Sequence, residues 1–295
     1  MKRVPFKGSA VAIVTPMNED FSINYNKLGE LIDWQIEQGT DCILICGTTG
    51  ESTVMTDDEH VECIRFAVEK TAGRVPVMAG CGSNDTRYAV WLSKEAKAIG
   101  ADSLLHVTPY YNKTSQKGLV AHFNAIADAT DLPVVLYNVP SRTGLNILPQ
   151  TYAELCKHPN IVATKEANND IAAICKTVSL CGDDLILYSG NDDQIVPILS
   201  MGGLGVISVM ANVIPKETHL LTQTFFDGNV AGAAKMQADV MGLVSALFCD
   251  VNPIPVKKAL NLMGKQVGPC RLPLVEMNDA GLAQLTGEMK KMNLI

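Results

Sequence analysis

Lys165 follows the apolar run Ile161-Val162-Ala163-Thr164, a place where an ammonium is hard to solvate. Desolvation favours the neutral amine, and a neutral lysine is a nucleophile towards carbonyls. The plainer alternatives are a lysine that snorkels to solvent at a strand end, or one that pairs with Glu166. Tyr137 ends the preceding run, Val134-Val135-Leu136, where a phenol beside an amine can shuttle protons. An interior aromatic with a satisfied hydroxyl would look the same in sequence. Gly47-Thr48-Thr49-Gly50-Glu51 joins two glycines, two hydroxyls and exposed amides, which suits a small anion such as a carboxylate. An ordinary strand-to-loop turn has the same composition, and no Gly-Lys-Ser/Thr follows to make a Walker loop. Arg142, in Pro140-Ser141-Arg142-Thr143-Gly144, offers a planar fork for a second carboxylate, or is a solvated loop arginine. Gly202-Gly203-Leu204-Gly205 precedes a strand instead of following one, so it is discounted as a phosphate loop. His60, His106, His122, His158 and His219 are scattered with no pair at ligand spacing, so no metal is expected.

Lys165, Tyr137, the Gly47–Glu51 segment and Arg142 lie at or past the carboxyl ends of short apolar runs, which are Ala10–Val14, Cys42–Ile45, Val75–Met78, Ser103–Val107, Val134–Tyr137, Ile161–Thr164, Leu185–Tyr188 and Gly205–Val209. The runs begin roughly 20 to 33 residues apart, room for a strand, a helix and two loops. Most do not alternate polar with apolar, as expected of parallel strands buried on both faces. Between them, Leu28, Leu31, Ile32 and Ile36 recur at helical spacing and stop at Gly39. Thr56 with Glu59 spells a capping box ahead of Val61, Ile64 and Val68. Eight strand–helix alternations predict an α/β chain folded as a (β/α)8 TIM barrel, with a doubly wound open sheet as the other candidate. From about residue 211 the pattern stays helical, broken by Asn252-Pro253-Ile254-Pro255. The expected organisation is a barrel over 1–225 that carries the active site, and a C-terminal helical region over 226–295. In a barrel the reactive face is the carboxyl end of the strands, where Lys165, Tyr137, the Gly47–Glu51 segment and Arg142 fall.

Composition narrows the function classes. The 295 residues are 47% hydrophobic and 19% charged, enough apolar mass for a large core and too little charge for disorder. Net charge is −7, without a run of five or six like charges, which argues against nucleic acid or an anionic membrane as partner. Nine cysteines without a C-x-x-C fit reduced thiols in the cytoplasm. The apolar stretch after Met1-Lys2-Arg3 is cut by Pro16 and Glu19-Asp20, so neither an export signal nor a membrane span is expected.

Gly47–Glu51, Tyr137-Asn138-Val139-Pro140 and Lys165-Glu166-Ala167, in this order and spacing, resemble the dihydrodipicolinate synthase / N-acetylneuraminate lyase family. The resemblance runs from Gly8-Ser9-Ala10-Val11 to Asn252-Pro253-Ile254-Pro255-Val256-Lys257. It implies a (β/α)8 barrel with extra C-terminal helices and a Schiff base between Lys165 and the ketone of pyruvate. It further implies that Tyr137 and Thr48 relay protons with Tyr111 reaching in from a neighbouring subunit. Thr48 and Thr49 would hold the pyruvate carboxylate, and Gly190 and Ile207 would line the site through their backbones. Synthase members resemble the Arg142 loop, with the arginine placed for the carboxylate of L-aspartate 4-semialdehyde. Sialic-acid lyases generally have an uncharged loop there and a serine in place of Thr48, and Tyr110-Tyr111 also resembles the synthase side. The implied reaction condenses pyruvate with the semialdehyde to 4-hydroxy-tetrahydrodipicolinate, the cyclic precursor of lysine and diaminopimelate. It needs no cofactor beyond the pyruvate imine, and the implied assembly is a homotetramer, a dimer of dimers. A pyruvate-dependent aldolase for a sugar acid or hydroxyproline derivative, and a keto-acid-binding barrel without turnover, are the alternatives. Ser52, Thr53, His60, Asn84 and Tyr110 resemble a lysine-effector pocket of the family. Asp57 and Tyr88 depart from it, which implies weak feedback by lysine, unless both are simply solvated helix-start residues.

Overall fold

Among residues 2–295, which the computed structural model describes, eight parallel strands each pair with the next, and the last returns to the first. They are β1 (Gly8–Ala12), β2 (Cys42–Ile45), β3 (Val77–Gly80), β4 (Ser103–Val107), β5 (Val134–Asn138), β6 (Ile161–Glu166), β7 (Ile186–Ser189) and β8 (Gly205–Ser208). Helices α1 (Tyr25–Glu37), α2 (Asp57–Thr71), α3 (Thr86–Ile99) and α4 (Gln116–Asp128) alternate with the first five strands. Next come α5 (Pro140–Thr143), α6 (Pro149–Leu155), α7 (Ile171–Cys181), α8 (Ile195–Ser200) and α9 (Pro215–Phe226). The chain ends with α10 (Val230–Leu247), α11 (Ile254–Leu262) and α12 (Asp279–Lys291). This is a closed TIM barrel with a helical C-terminal segment.

The strands are apolar throughout because both of their faces are covered. Ala10, Leu44, Met78, Leu105, Val135 and Ile207 fill the barrel, while Val11, Ile43, Ala79, Leu104 and Val206 meet the helices. Phe6 stacks on Tyr188 at 4.3 Å and accepts its hydroxyl at 2.6 Å, closing the amino end of the barrel. α1 buries Leu28, Leu31 and Ile32 and stops ahead of Gly39, whose φ of +94 suits glycine. The capping box of α2 is formed in both directions between Thr56 and Glu59. β7 lies one residue past its apolar run, β6 runs on through Lys165 and Glu166, and two strands are displaced by two residues. β1 is Gly8–Ala12, not Ala10–Val14, because Gly8 and Ser9 pair with Gly205 and Val206, and Asp41 accepts the Ser9 amide at 2.8 Å. β3 starts at Val77 because Pro76 has no N–H for a ladder, and it runs on to Gly80 opposite Leu105. Among the described residues no helix is long and apolar enough to cross a membrane.

Candidate active site

The strand register sets the centre of the site. Tyr137 on β5 pairs with Lys165 on β6, and their positions alternate inward with Val135 and Ala163. The Lys165 Nζ stands 4.3 Å from the centroid of the Tyr137 ring, and only 5% of the lysine is exposed. Burial pulls the Lys165 pKa down to about 8; the Asp192 carboxylate opposes this and the Arg142 cation adds to it. Burial pushes the Tyr137 phenol up to about 12, while Arg142 and the Thr48 hydroxyl pull it the other way. Glu166 is not the lysine's partner. It faces the helices, where it accepts from Asn138 Nδ2 at 2.8 Å, the Tyr152 hydroxyl at 2.9 Å and the Asn168 amide at 3.1 Å. Lys165 is therefore neither a snorkelling lysine nor half of an ion pair with its neighbour.

The Gly47–Glu51 loop leaves β2 in two tight turns, closed by Gly50 N to Gly47 O at 3.0 Å and Glu51 N to Thr48 O at 3.1 Å. It exposes Thr48 and buries Thr49. From outside, Thr15 Oγ1 donates to Gly50 O at 2.7 Å, and the buried Glu51 carboxylate pairs with Lys257 Nζ at 2.8 Å. Thr48, Tyr137, Val139 and Arg142 border both lobes of the cavity above the barrel. One lobe, of about 390 Å³, holds Thr49, Lys165, Gly190 and Asn252; the other, of about 240 Å³, holds Ser52, Thr53, Tyr110 and Thr143. Arg142, in the last turn of α5, is exposed and donates through Nη2 to the main-chain oxygen of Asn252 at 3.2 Å.

Lys165, Tyr137, Thr48, Thr49, Arg142 and Gly190 thus converge on one cavity. Gly190 gives its N–H to Glu166 O at 2.7 Å, so only its carbonyl is free for the cavity. A Cβ there would stand 3.1 Å from Lys165 Cγ, so a bare glycine leaves the lysine its place. Ile207 packs inside the barrel and lines neither lobe. Tyr111 does not join the others: at φ +67 it stands 90% exposed. Of the effector-pocket residues, Ser52, Thr53 and Tyr110 line the smaller lobe, while Asn84 donates to Tyr110 O at 3.1 Å. His60 is buried against Gly80 O at 2.8 Å, and the Tyr88 hydroxyl donates to Asp57 Oδ1 at 2.8 Å. Among the described residues no group of three His, Cys, Asp or Glu side chains gathers as for a metal ion.

Sequence reading missed the supports. Asn252 Nδ2 donates to Thr49 Oγ1 at 3.0 Å, and Arg271 donates its amide to Glu51 Oε2 at 2.8 Å while its guanidinium grips Glu59. Asp192, buried in the turn that follows β7, accepts the Val209 and Met210 amides at 3.1 and 2.8 Å. The available signal was a polar residue inside an apolar stretch, as with Lys257 in Ile254-Pro255-Val256-Lys257.

The model of the Dihydrodipicolinate synthetase family matches residues 5–292. The 4-hydroxy-tetrahydrodipicolinate synthase of Lachnoclostridium phytofermentans is 58% identical over 98% of this chain and 99% of its own. The crystal structure of dihydrodipicolinate synthase from Aquifex aeolicus superposes with a TM-score of 0.96 at 42% identity, covering 98% of this chain and 99% of that one. The enzyme from Cyanidioschyzon merolae, solved with lysine bound, gives 0.96 at 40% identity over 99% and 100%.

Proposed function

The chain belongs to the dihydrodipicolinate synthetase family, and on that premise we propose that its cavity condenses pyruvate with L-aspartate 4-semialdehyde through an imine on Lys165. The observation that carries the assignment of Lys165 is the inward pairing of a buried amine with a phenol across β5 and β6. The amine adds to the pyruvate ketone and water leaves, giving a cationic imine. That cation is an electron sink, so the adjacent methyl loses a proton and becomes a carbon nucleophile. The nucleophile bonds to the aldehyde carbon of the second substrate, whose oxygen takes up a proton. The amino group of that substrate then closes on the imine carbon and expels Lys165, giving 4-hydroxy-tetrahydrodipicolinate, a precursor for lysine and diaminopimelate.

Tyr137 and Thr48 relay protons in this scheme: a phenol raised to about 12 needs a hydroxyl chain to act near neutral pH. Thr48 and Thr49 hold the pyruvate carboxylate, and Arg142 takes the carboxylate of the semialdehyde at the cavity mouth. Gly190 lines the site beside Lys165 through its backbone, while Ile207 packs inside the barrel. Tyr111 serves the site of a second copy, which its exposure on a strained turn supports, within a tetramer built as a dimer of dimers. Every covalent intermediate is carried on Lys165, with no separate cofactor. Residues 1–225 form the catalytic barrel and 226–295 its helical brace. Nine free cysteines suit a reducing, cytoplasmic setting.

Arg142→Ala separates the two substrates. Losing a charge-assisted carboxylate contact costs about 2–5 kcal/mol of transition-state binding. A coupled assay of semialdehyde consumption should fall accordingly, while reductive trapping of pyruvate on Lys165 stays intact. Loss of both would remove Arg142 from its assigned place.

A further inference from the structure

Asn252 lies between α10 and α11, about two hundred residues along the chain from the loop it touches, and only 5% of it is exposed. Its two ends meet both substrate-facing poles of the cavity. The side-chain amide donates to Thr49 Oγ1 at 3.0 Å, and the main-chain oxygen accepts from Arg142 Nη2 at 3.2 Å. Among the described residues the side-chain oxygen is buried without a partner, and the Thr49 contact is the only hydrogen bond this side chain makes.

A threonine hydroxyl has one proton to give and lone pairs to receive. An amide that donates into Thr49 Oγ1 occupies a lone pair and leaves the hydroxyl proton free for another acceptor. Thr49 and Asn252 line the lobe that contains Lys165, so a carboxylate bound beside the amine is the acceptor within reach. We propose that Asn252 is a positioning residue that sets Thr49 as a hydrogen-bond donor to the pyruvate carboxylate. The inference rests on the assignment of Thr49 to pyruvate. It goes further by giving the C-terminal region a part in the polarity of the site as well as in its packing.

The polarity makes a test that packing alone would not pass. Asn252→Asp keeps the shape and turns a donor into an acceptor, so Thr49 gives its proton to the new carboxylate and presents a lone pair to pyruvate. Asn252→Ala removes the contact without reversing it. KM for pyruvate, and the pyruvate concentration giving half-maximal trapping on Lys165, should rise about tenfold or more in N252D and less in N252A. KM for the semialdehyde should hold in both variants, because Arg142 is bonded to main chain. In N252D the pyruvate defect should shrink as pH falls and the aspartate regains a proton to donate. In a Thr49→Val background, N252D should raise the pyruvate KM no further than N252A does. A purely structural Asn252 predicts the opposite ranking, with the truncation worse than the isostere, and that result would overturn the proposal. If N252D does not fold, Thr49→Val carries the test alone: an unchanged pyruvate KM there also overturns it. Trapping on Lys165 in the unaltered enzyme reports separately on the reaction itself, so the two readings fail independently.

Discussion

A lysine is a poor nucleophile at neutral pH because nearly all of it is protonated, and burial is what changes that here. With its pKa near 8, about one Lys165 amine in ten is neutral at pH 7, against roughly one in a few thousand for an ordinary lysine. The sign follows from desolvation, which disfavours the charged form; Asp192 tempers the effect without reversing it. A second residue-scale consequence concerns the effector. A lysine ligand brings an ammonium that needs a free anion. The Asp57 carboxylate is already bonded to the Tyr88 hydroxyl at 2.8 Å, and Tyr88 itself offers only a phenol. A missing charge-assisted hydrogen bond is worth about 1.5–3 kcal/mol, at least one order of magnitude in affinity. Titrating synthase activity with L-lysine should therefore show no submillimolar inhibition. Submillimolar inhibition would mean that Asp57 serves the ligand as well as Tyr88.

At the scale of elements, the loop after β2 is held in place by the far end of the chain. Glu51 stands at φ +58 with its carboxylate sealed between Lys257 of α11 and the amide of Arg271. Arg271 also clamps Glu59, holding that carboxyl down to about 2. Removing one partner of a sealed ion pair strands the other charge, a loss of about 3–5 kcal/mol. Lys257→Met should lose that much in denaturant unfolding and weaken pyruvate binding through the loop. Adding Glu51→Gln should restore a large part of the stability. Equal stability of Lys257→Met and the native chain would show that the pair does not brace the loop. The barrel itself was legible in sequence because strands covered on both faces leave continuous apolar runs, and the capping box and Gly39 marked helix ends. Lys165, Tyr137 and the Thr48 loop were legible because each closes such a run. Asn252, Asp192, Lys257 and Arg271 were not, since their roles arise from contacts between residues far apart in sequence, and no local pattern encodes those.

For the whole molecule, the exposed Tyr111 predicts an assembly. If it completes a neighbour's site, mixing inactive Tyr111→Phe and Lys165→Ala subunits should restore activity, because one site in each mixed dimer then holds both native residues. No rescue in verified mixed dimers would mean a self-contained site. The larger claim is that eight strands, three bracing residues from the C-terminal region and a buried register pair all converge on one reactive amine. Reduction with cyanoborohydride in the presence of pyruvate, followed by mass mapping across a pH series, tests it most directly. The added mass should sit on the peptide carrying Lys165, form faster as pH rises and level off above about 8, as burial of the amine requires. Labelling that persists in Lys165→Ala, or maps to another lysine, would contradict it.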